Sequence, residues 1–307
     1  MTSIILGTAK LGLEGRNSAF EMLDAYVELG GTAIDTAAVY SDWVPGEIGR
    51  AETIIGEWIA ARGNRDSLVL TTKGAHPPLA DMHSPRSDAA SIRHDVEQSL
   101  QRLGVDVIDH WYFHRDDESR PADEIIGPIQ RLIDEGKVRA FGVSNWSTAR
   151  VEEALAAPGQ RLTANQPLGN VLCCVMGPPS DDTLAVLDAP MFHQSVAHGL
   201  TLDLYTAQAS GIFERRKAGK PAPGNYASAA CDAVATKIEA ICAREGLDVS
   251  HVVLAFLTAL APNVRALIGP RNAAQLRDNY PAGELVLDPA VVREIADAAR
   301  MADFLRA

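Results

Sequence analysis

The sequence lacks several features that would place it in a special class of protein. Its longest apolar run is far shorter than the roughly 18 residues that a membrane-spanning helix needs. Its start, Ile4-Ile5-Leu6-Gly7, has neither the basic flank nor the cleavage motif of a secretory signal. Aromatic residues are few, at 6%, but the 47% apolar content is that of an ordinary globular protein. These absences predict a cytoplasmic protein with no membrane partner.

Cysteine and basic residues are also scarce. Cys173, Cys174, Cys231 and Cys242 include no C-x-x-C pair, and the adjacent two cannot easily bridge to one another. We therefore expect reduced thiols that pack as small apolar residues. With 28 Lys and Arg against 40 Asp and Glu, the formal net charge is −12. Because nucleic-acid binding depends on cations that neutralise phosphates, this charge argues against a nucleic-acid partner.

What the chain does have is a regular alternation of short apolar runs and longer helical patterns, typical of repeated βα units and a parallel sheet. One α/β domain over 1–307, a (β/α)8 TIM barrel, is predicted, because no linker rich in Pro, Gly or Ser divides the chain. The helical periodicity predicts helices at 87–103 and 121–135 and a last helix opening at Asp288-Pro289. Long connections are expected at 170–182 and 197–226. The predicted strands are 4–7, 32–35, 68–73, 107–114, 138–144, 162–166, 190–196 and 264–269.

One predicted strand ends in an acid, Asp35, followed five positions later by a phenol, Tyr40. A tyrosine has a pKa of about 10, so it donates a proton near neutrality only if a cation or hydrogen-bond network stabilises its phenolate. Lys73 ends the next predicted strand and His114 the one after. Because strand ends converge on one face of a barrel, these four side chains are predicted to meet there. Taken alone, Asp35 could be a loop cap and Tyr40 a surface ring, but their order on three consecutive strands favours a site.

Motifs along nearly the whole chain are similar to those of the aldo-keto reductases. Each motif is weak alone, and their order and spacing carry the resemblance. The matching pieces are Asp-Thr-Ala-Ala-Val-Tyr at 35–40, Gly49-Arg50-Ala51-Glu52 with Ile55-Gly56, Thr71-Thr72-Lys73, Leu103-Gly104-Val105-Asp106 with Ile108-Asp109 and His114, Gly136-Lys137-Val138-Arg139 with Gly142-Val143-Ser144-Asn145, Gln166, and Ile268-Gly269-Pro270-Arg271 through Gln275 and Asn279.

The resemblance implies an oxidoreductase that transfers a hydride between NADP(H) and a small carbonyl or alcohol substrate, such as an aldehyde or a ketone. Polar groups and only scattered aromatics in the loops that would form the pocket suggest a polar, sugar-like substrate. Tyr40 would be the general acid in reduction and the general base in oxidation. Lys73, paired with Asp35, would lower the pKa of Tyr40, and His114 would orient and polarise the carbonyl. The hydride must come from a cofactor, because no side chain supplies one. Trp43 could line the substrate pocket or cap a loop.

The resemblance also implies a cofactor site, in which Ser144, Asn145 and Gln166 would hold the carboxamide of the nicotinamide. Arg271, Gln275 and Asn279 match positions that contact the 2′-phosphate and adenine. An arginine there favours NADP(H), with NAD(H) as the alternative, because only NADP(H) carries that phosphate. The stretch 193–200 loosely resembles the family's aromatic-Ser-Pro-Leu-x-x-Gly motif, with His193 or Gln194 in place of the stacking ring. The remaining cofactor positions are Gly7, Thr8, Ser195, Ala197, Gly199 and Gly269.

The sequence departs from the family at the first strand and at His110. Family members often begin with a β-hairpin that plugs the barrel, whereas this sequence starts almost at its first strand, so no such plug is predicted. His110 is predicted to face the barrel interior, most simply as a hydrogen-bonded core histidine. A cofactor-binding sensor with little turnover stays open because of the missing ring near His193. A metal-dependent hydrolase built on Asp35, His110 and His114 is disfavoured, because the first strand has no paired histidines, so no metal is predicted.

Overall fold

The computed structural model describes residues 3–44, 46, 48–159 and 161–306. Eight parallel strands close into a barrel in chain order, with the first strand also paired to the eighth. The predicted (β/α)8 barrel is confirmed, and only Ser3 precedes its first strand among the described residues; positions 1, 2, 45, 47, 160 and 307 of the predicted domain lie outside them. The strands are Ile4–Gly7 (β1), Ala33–Asp35 (β2), Val69–Gly74 (β3), Ile108–Phe113 (β4), Val138–Ser144 (β5), Leu162–Gln166 (β6), Thr201–Leu204 (β7) and Val264–Ile268 (β8).

Helices surround the barrel, and their ends follow local capping chemistry. Asp88 accepts hydrogen bonds from two amides of the helix it opens, and Asp288 caps the last helix ahead of Pro289, as predicted. The α-helices are Arg16–Glu28 (α1), Arg50–Arg62 (α2), Ala89–Leu103 (α3), Ala122–Asp134 (α4), Thr148–Leu155 (α5), Ala189–Ala197 (α6), Ile212–Lys217 (α7), Ala229–Glu245 (α8), Val249–Ala259 (α9), Ala273–Asn279 (α10) and Pro289–Ala298 (α11). Short 3-10 helices lie at Arg65–Ser67, Ala209–Gly211, Gly224–Tyr226, Tyr280–Glu284 and Ala302–Leu305.

The prediction of a seventh strand at 190–196 is wrong, because those residues lie in α6. The Asp188 side chain caps this helix through the Met191 amide, and Pro190 occupies its first turn. Its buried residues, Met191, Phe192 and Ser195, recur at helical rather than alternating spacing. The true β7 lies a few residues later, inside the connection predicted at 197–226, and pairs with β6 and β8.

A buried polar network crosses the barrel interior. The Tyr112 hydroxyl on β4 donates to Asp203 on β7 at 2.7 Å, and Asp203 also accepts two bonds from Arg265 on β8, at 2.7 and 2.8 Å. His110 lies two positions before Tyr112, with 6.4 Å between the two ring centroids. Its Nδ1 atom is buried and has no hydrogen-bond partner in the described parts of the chain. The described residues therefore do not supply the hydrogen bond expected for this nitrogen of His110.

Several of the motif residues hold helices against the barrel. Glu52 of α2 is fully buried; it accepts a 2.6 Å hydrogen bond from Thr72 on β3 and lies 3.1 Å from the Arg102 guanidinium of α3. Gly56 lets α2 approach α3, since a Cβ atom there would come within 2.2 Å of the Arg102 carbonyl oxygen. These motif residues therefore position β3, the strand that carries Lys73.

Two predictions made from composition concern the cysteines and a membrane-spanning helix. The cysteines are free, as expected, but Cys174 is exposed and only Cys173, Cys231 and Cys242 are buried, so small-apolar packing is wrong for Cys174. The two adjacent Sγ atoms lie 3.9 Å apart. Within the described residues, no helix has the length and apolar character to cross a bilayer.

Candidate active site

The structure brings Asp35, Tyr40 and Lys73 together at the carboxyl ends of β2 and β3. The buried Lys73 Nζ atom donates to Asp35 Oδ1 at 2.5 Å, to the Thr36 carbonyl at 2.9 Å and to the Tyr40 hydroxyl at 3.1 Å. Asp35 and Lys73 are each 1% exposed, so water scarcely screens their attraction. The phenol and the ammonium, separated by 33 residues in sequence, are therefore in direct contact.

Backbone pairing beyond β2 carries Tyr40 to this position. After β2 ends, the Thr36 amide bonds to the Thr71 carbonyl and the Ala38 amide to the Lys73 carbonyl, so the chain follows the edge of β3. A tight turn then closes with the Tyr40 amide on the Ala37 carbonyl at 3.1 Å. The ring is thereby folded back over the Lys73 side chain.

The charges of this cluster follow from its burial and its ion pair. Burial disfavours the charged amine, but Asp35 and Tyr40 raise the pKa of Lys73 above its usual value, so the residue is an ammonium. Burial raises the pKa of Tyr40, and the Lys73 charge opposes that rise. Lys73 thus acts to lower the pKa of Tyr40, as expected, but burial outweighs this effect and the pKa of Tyr40 is raised overall. The phenol is protonated near neutral pH, and a cation is in place to stabilise the phenolate if the proton leaves.

His114 lies just past β4 and completes the group of four predicted side chains. Its ring is 5.8 Å from the Tyr40 ring and 4.7 Å from the ring of His76, measured between centroids. Burial, and then the nearby Arg115 guanidinium, hold the pKa of His114 well below its usual value, so the imidazole is neutral. His76 was missed by the sequence analysis; the available signal was a histidine three residues past Lys73 at a strand end.

Amide and hydroxyl side chains from β5 and β6 border the ion pair. Gln166 donates to Asp35 Oδ2 at 2.9 Å, and the Ser144 hydroxyl donates to the Gln166 carbonyl at 2.8 Å. Asn145 donates to Ser144 Oγ at 3.1 Å from a left-handed backbone, φ +63°, which asparagine tolerates better than most residues. The three residues predicted to hold a carboxamide are thus assembled beside Asp35.

An aromatic ring also lies at this face, but it belongs to a residue other than His193 or Gln194, where the stacking position was predicted. Tyr205 follows β7, is partly exposed, and donates its hydroxyl to Asn145 Oδ1 at 2.6 Å. The sequence from Tyr205 to Gly211 resembles the family's aromatic-Ser-Pro-Leu-x-x-Gly motif in its first and last residues. The available signal was the alternation of leucines at 200, 202 and 204 just before the ring.

The stretch from His193 to Gly199 lies outside this face, because it belongs to α6 and the turn after it. His193 Nε2 is 3.0 Å from the carbonyl oxygen of Asp303, near the C-terminal end of the described chain. Gln194 donates to the Thr148 carbonyl at 3.0 Å and to Glu152 at 2.8 Å. The structure therefore does not bring the predicted cofactor residues of this stretch to the barrel mouth; they are His193, Gln194, Ser195, Ala197 and Gly199.

The end of β8 presents the residues predicted to contact the adenosine. Arg271 is exposed and has no ion pair with a described acidic residue, and Lys10 lines the same surface pocket. The Arg271 amide donates to Gln275 Oε1 at 2.8 Å. Asn279 accepts a 3.1 Å hydrogen bond from Gln208, which ties the loop after β7 to the end of α10.

The remaining predicted residues lie along the same rim. The Thr8 hydroxyl donates to the Asp35 carbonyl at 2.8 Å, and a Cβ atom on Gly7 would lie 3.2 Å from the Ile268 carbonyl. Gly269 faces open space, and Trp43 is 50% exposed. Over the described ranges, no group of three or more His, Cys, Asp and Glu side chains is placed to hold a metal ion. The ligand set of the hydrolase interpretation is therefore not assembled.

Comparison with known proteins agrees with this geometry. The sequence matches the Aldo/keto reductase family over residues 3–300. It is 30% identical to the aldo-keto reductase ausK of Emericella nidulans (90% of this chain, 71% of the relative) and 28% identical to the uncharacterized oxidoreductase YrpG of Bacillus subtilis (97% and 92%). The crystal structure of the thermostable aldo-keto reductase Tm1743 with the inhibitor epalrestat superposes with a TM-score of 0.73 at 21% identity, covering 97% of this chain and 95% of that one. The chain belongs to the aldo/keto reductase family.

Proposed function

We propose that the protein is an NADP(H)-dependent oxidoreductase that interconverts a carbonyl compound and its alcohol, with Tyr40 as the proton donor and acceptor. The observation that supports this most directly is the 3.1 Å contact between the Tyr40 hydroxyl and the Lys73 ammonium, itself paired with Asp35 at 2.5 Å. A protonated phenol in contact with a buried cation is suited to give up a proton and remain briefly as a stabilised phenolate.

In the reducing direction, Tyr40 donates its proton to the substrate oxygen as that oxygen gains negative charge. Lys73 then stabilises the phenolate, and Asp35 keeps the lysine charged and fixed. His114, neutral and buried, donates an N–H to the same oxygen and holds the carbonyl in place. When bound, NADPH supplies the hydride. In oxidation the same residues act in reverse, with the phenolate as base.

The residues present fit this cofactor. Asn145 and Gln166 offer amide groups suited to a carboxamide, and Tyr205 offers a ring for stacking. Arg271, just past β8, and Lys10, just past β1, line one surface pocket together with Glu14, and these two cations are suited to the 2′-phosphate that distinguishes NADP(H) from NAD(H). Gly7, Thr8, Ser144, Gly269, Gln275 and Asn279 complete the rim.

The proposed substrates are aldehydes, ketones or sugar-like molecules, with Trp43 at the entrance. Among the relatives are a norsolorinic acid reductase of Emericella nidulans, 29% identical over 94% of this chain and 74% of its own length, and an aryl-alcohol dehydrogenase of Pestalotiopsis microspora, 26% identical over 91% and 72%. Their names suggest that aromatic carbonyls belong in the first panel. The exposed indole of Trp43 can pack against such a ring.

NADPH oxidation in the presence of a panel of aromatic and aliphatic aldehydes, ketones and sugars tests the activity. Tyr40→Phe is expected to lower kcat by about 10²- to 10⁴-fold, the usual contribution of a positioned acid, and to leave NADPH binding unchanged. NADPH binding without oxidation across the panel would instead support a sensor or accessory subunit. The reason for considering that alternative, a missing ring, is weakened by Tyr205.

Two pairs of variants, each with a matched control, test the cofactor site. Tyr205→Leu is expected to weaken NADPH binding, whereas His193→Leu, on α6, is expected to leave it unchanged. Arg271→Gln is expected to raise the Kd for NADPH about 10- to 100-fold, the loss of one charge-assisted contact, with little effect on NADH. Arg277→Gln is the control, because that arginine lies on α10, the helix that follows Arg271, and pairs with Glu28. Equal effects of Arg271→Gln on both cofactors would contradict the phosphate assignment.

A further inference from the structure

His76 is a second imidazole in the site and has no role in the scheme above. It lies three residues after Lys73, just past β3, and is only 8% exposed. Its ring meets the His114 ring edge to face, with 4.7 Å between centroids and 66° between planes. Aromatic pairs in this arrangement attract each other and exclude water from the shared face. One side of His114 is therefore covered by His76.

The His76 ring is fixed by its own hydrogen bond. Its Nδ1 atom lies 2.6 Å from the Pro77 carbonyl oxygen. A carbonyl can only accept, so Nδ1 carries the hydrogen and Nε2 keeps the lone pair in the neutral ring. Burial lowers the pKa of His76 to about 4, and the charged groups acting on it are Arg115, Asp181 and Arg86. At neutral pH His76 is thus an uncharged ring in one tautomer.

The backbone before His76 is strained in a way that directs this ring. Ala75 has φ +55°, in the left-handed region that side chains other than glycine rarely adopt. The conformation is held from both sides: the Ala75 amide donates to Asp95 at 2.8 Å, and Arg86 pairs with Asp95 at 2.8 Å while approaching the His76 carbonyl at 3.4 Å. Strain that the surroundings maintain in this way is typical of functional positions.

The orientation of the His114 ring depends on packing, because the described residues give this ring no hydrogen bond. Its Nδ1 atom is buried and finds no hydrogen-bond partner among the described residues. The ring contacts that remain are those with Tyr40 and His76. Tyr40 also contacts the reacting oxygen in the proposed function, so His76 is the ring that can orient His114 from outside the reaction.

We propose that His76 is a positioning residue of this site: its ring covers one face of the His114 imidazole, excludes water from it and holds it aimed at the substrate oxygen. This inference rests on the proposed function, in which His114 donates a hydrogen bond to that oxygen. The charged groups that act on His114 are Arg115 and Lys73, and both are cations that oppose its protonation. Removing the His76 ring leaves these cations in place and admits water.

Three variants test the proposal. His76→Ala removes the ring, His76→Phe keeps a ring without the nitrogens, and His94→Ala removes an exposed histidine of α3 as a control. In His76→Ala, kcat is expected to fall about tenfold, because His114 loses its alignment, while the Kd for NADPH stays constant. His114, followed by NMR of its ring nitrogens, is expected to titrate about one pH unit higher because water reaches it. His76→Phe is expected to restore both values, and His94→Ala to change neither.

A His76→Ala protein that keeps both kcat and the His114 titration would overturn the proposal. So would a His76→Phe protein as impaired as His76→Ala, because the covering ring would then not be what acts. If His76→Ala does not fold, His76→Gln replaces it, since Gln keeps a donor for the Pro77 carbonyl and lacks the ring. The NMR titration needs no turnover. A wild-type protein that reduces no carbonyl would therefore refute the proposed function, while the titration still decides whether His76 covers His114.

Discussion

The Asp203–Arg265 pair is expected to be a large determinant of stability, because both charges lie inside the barrel. Their side chains are 1% and 7% exposed, and two hydrogen bonds of 2.7 and 2.8 Å join them. The perturbation is Asp203→Asn, which keeps the size of the side chain and an oxygen for the Tyr112 hydroxyl but removes the negative charge. The Arg265 guanidinium then stays buried without a counter-charge.

Breaking a buried ion pair in this way costs about 3–5 kcal/mol, most of it the desolvation of the charge left behind. Domains of this kind have free energies of unfolding of about 5–15 kcal/mol, so the variant is expected to lose roughly a fifth of its stability or more. Removing both charges is expected to lower the free energy of unfolding by less than removing one charge and leaving the other buried. The double variant Asp203→Leu/Arg265→Met leaves neither charge of the pair, and its loss should be smaller than the sum of the losses in Asp203→Leu alone and Arg265→Met alone.

Urea unfolding at neutral pH, followed by circular dichroism, gives the free energies for the single and double variants. Arg277→Ala, which breaks the exposed pair with Glu28, is the control and is expected to change nothing measurable. A loss below about 1 kcal/mol for Asp203→Asn would refute the reasoning, since Arg265 would then be hydrated or compensated in the folded state. Strictly additive losses in the double variant would refute the claim that the two charges stabilise each other.

Acid is expected to destabilise the fold, because the pKa of His76 is about 4 in the folded chain against 6.5 in the unfolded one. Between those values the unfolded chain binds a proton that the folded chain does not. The free energy of unfolding therefore loses almost nothing above pH 6.5 and about 3 kcal/mol once the pH has fallen to 4, and the pKa values of His114 and His110 are lowered in the same direction. A free energy of unfolding that is constant over this range would contradict the prediction. Gly56→Ala is expected to cost about 1–3 kcal/mol by forcing α2 from α3, with Glu57→Ala on the same helix as control, and an unchanged urea midpoint would argue against the close contact. Lys73→Met is expected to lower the melting temperature as well as kcat, because Asp35 is left buried without its cation; a variant with normal stability would show that Asp35 is protonated.

Local sequence signals were sufficient for most of the barrel and for the ion-paired tyrosine. Asp35, Tyr40 and Lys73 could be placed together because each follows a strand that is apolar enough to recognise, and barrel closure brings those ends to one face. β7 could not be recognised in the same way. It has four residues, Thr201-Leu202-Asp203-Leu204, and the aspartate interrupts the apolar run. Its partner Arg265 lies 62 residues away, so the pairing that makes a buried acid acceptable is invisible locally.

The error at β7 also gave a wrong predicted position for the aromatic ring. The apolar residues of α6 were interpreted as a strand, and the ring was then sought at His193 and Gln194, although Tyr205 stands directly after the true strand. A helix of nine residues with an apolar face and a strand with both faces buried give similar runs of apolar residues. The cap at Asp188 followed by Pro190 was the local evidence that separates the two.

Backbone strain is the part of the site that no local pattern indicated. Within the described chain, six of the seven non-glycine residues with positive φ follow strands at the barrel mouth, and only Arg300 lies elsewhere. Each costs about 1–3 kcal/mol and persists only where the surroundings enforce it. Four of the six stand directly beside a side chain of the site: Ser41 beside Tyr40, Ala75 beside His76, Asn145 beside Ser144 and Thr206 beside Tyr205. Alanine, serine and threonine carry no sequence signal for the left-handed region, so at Ser41, Ala75 and Thr206 the folded barrel, rather than the local sequence, determines the conformation beside the site.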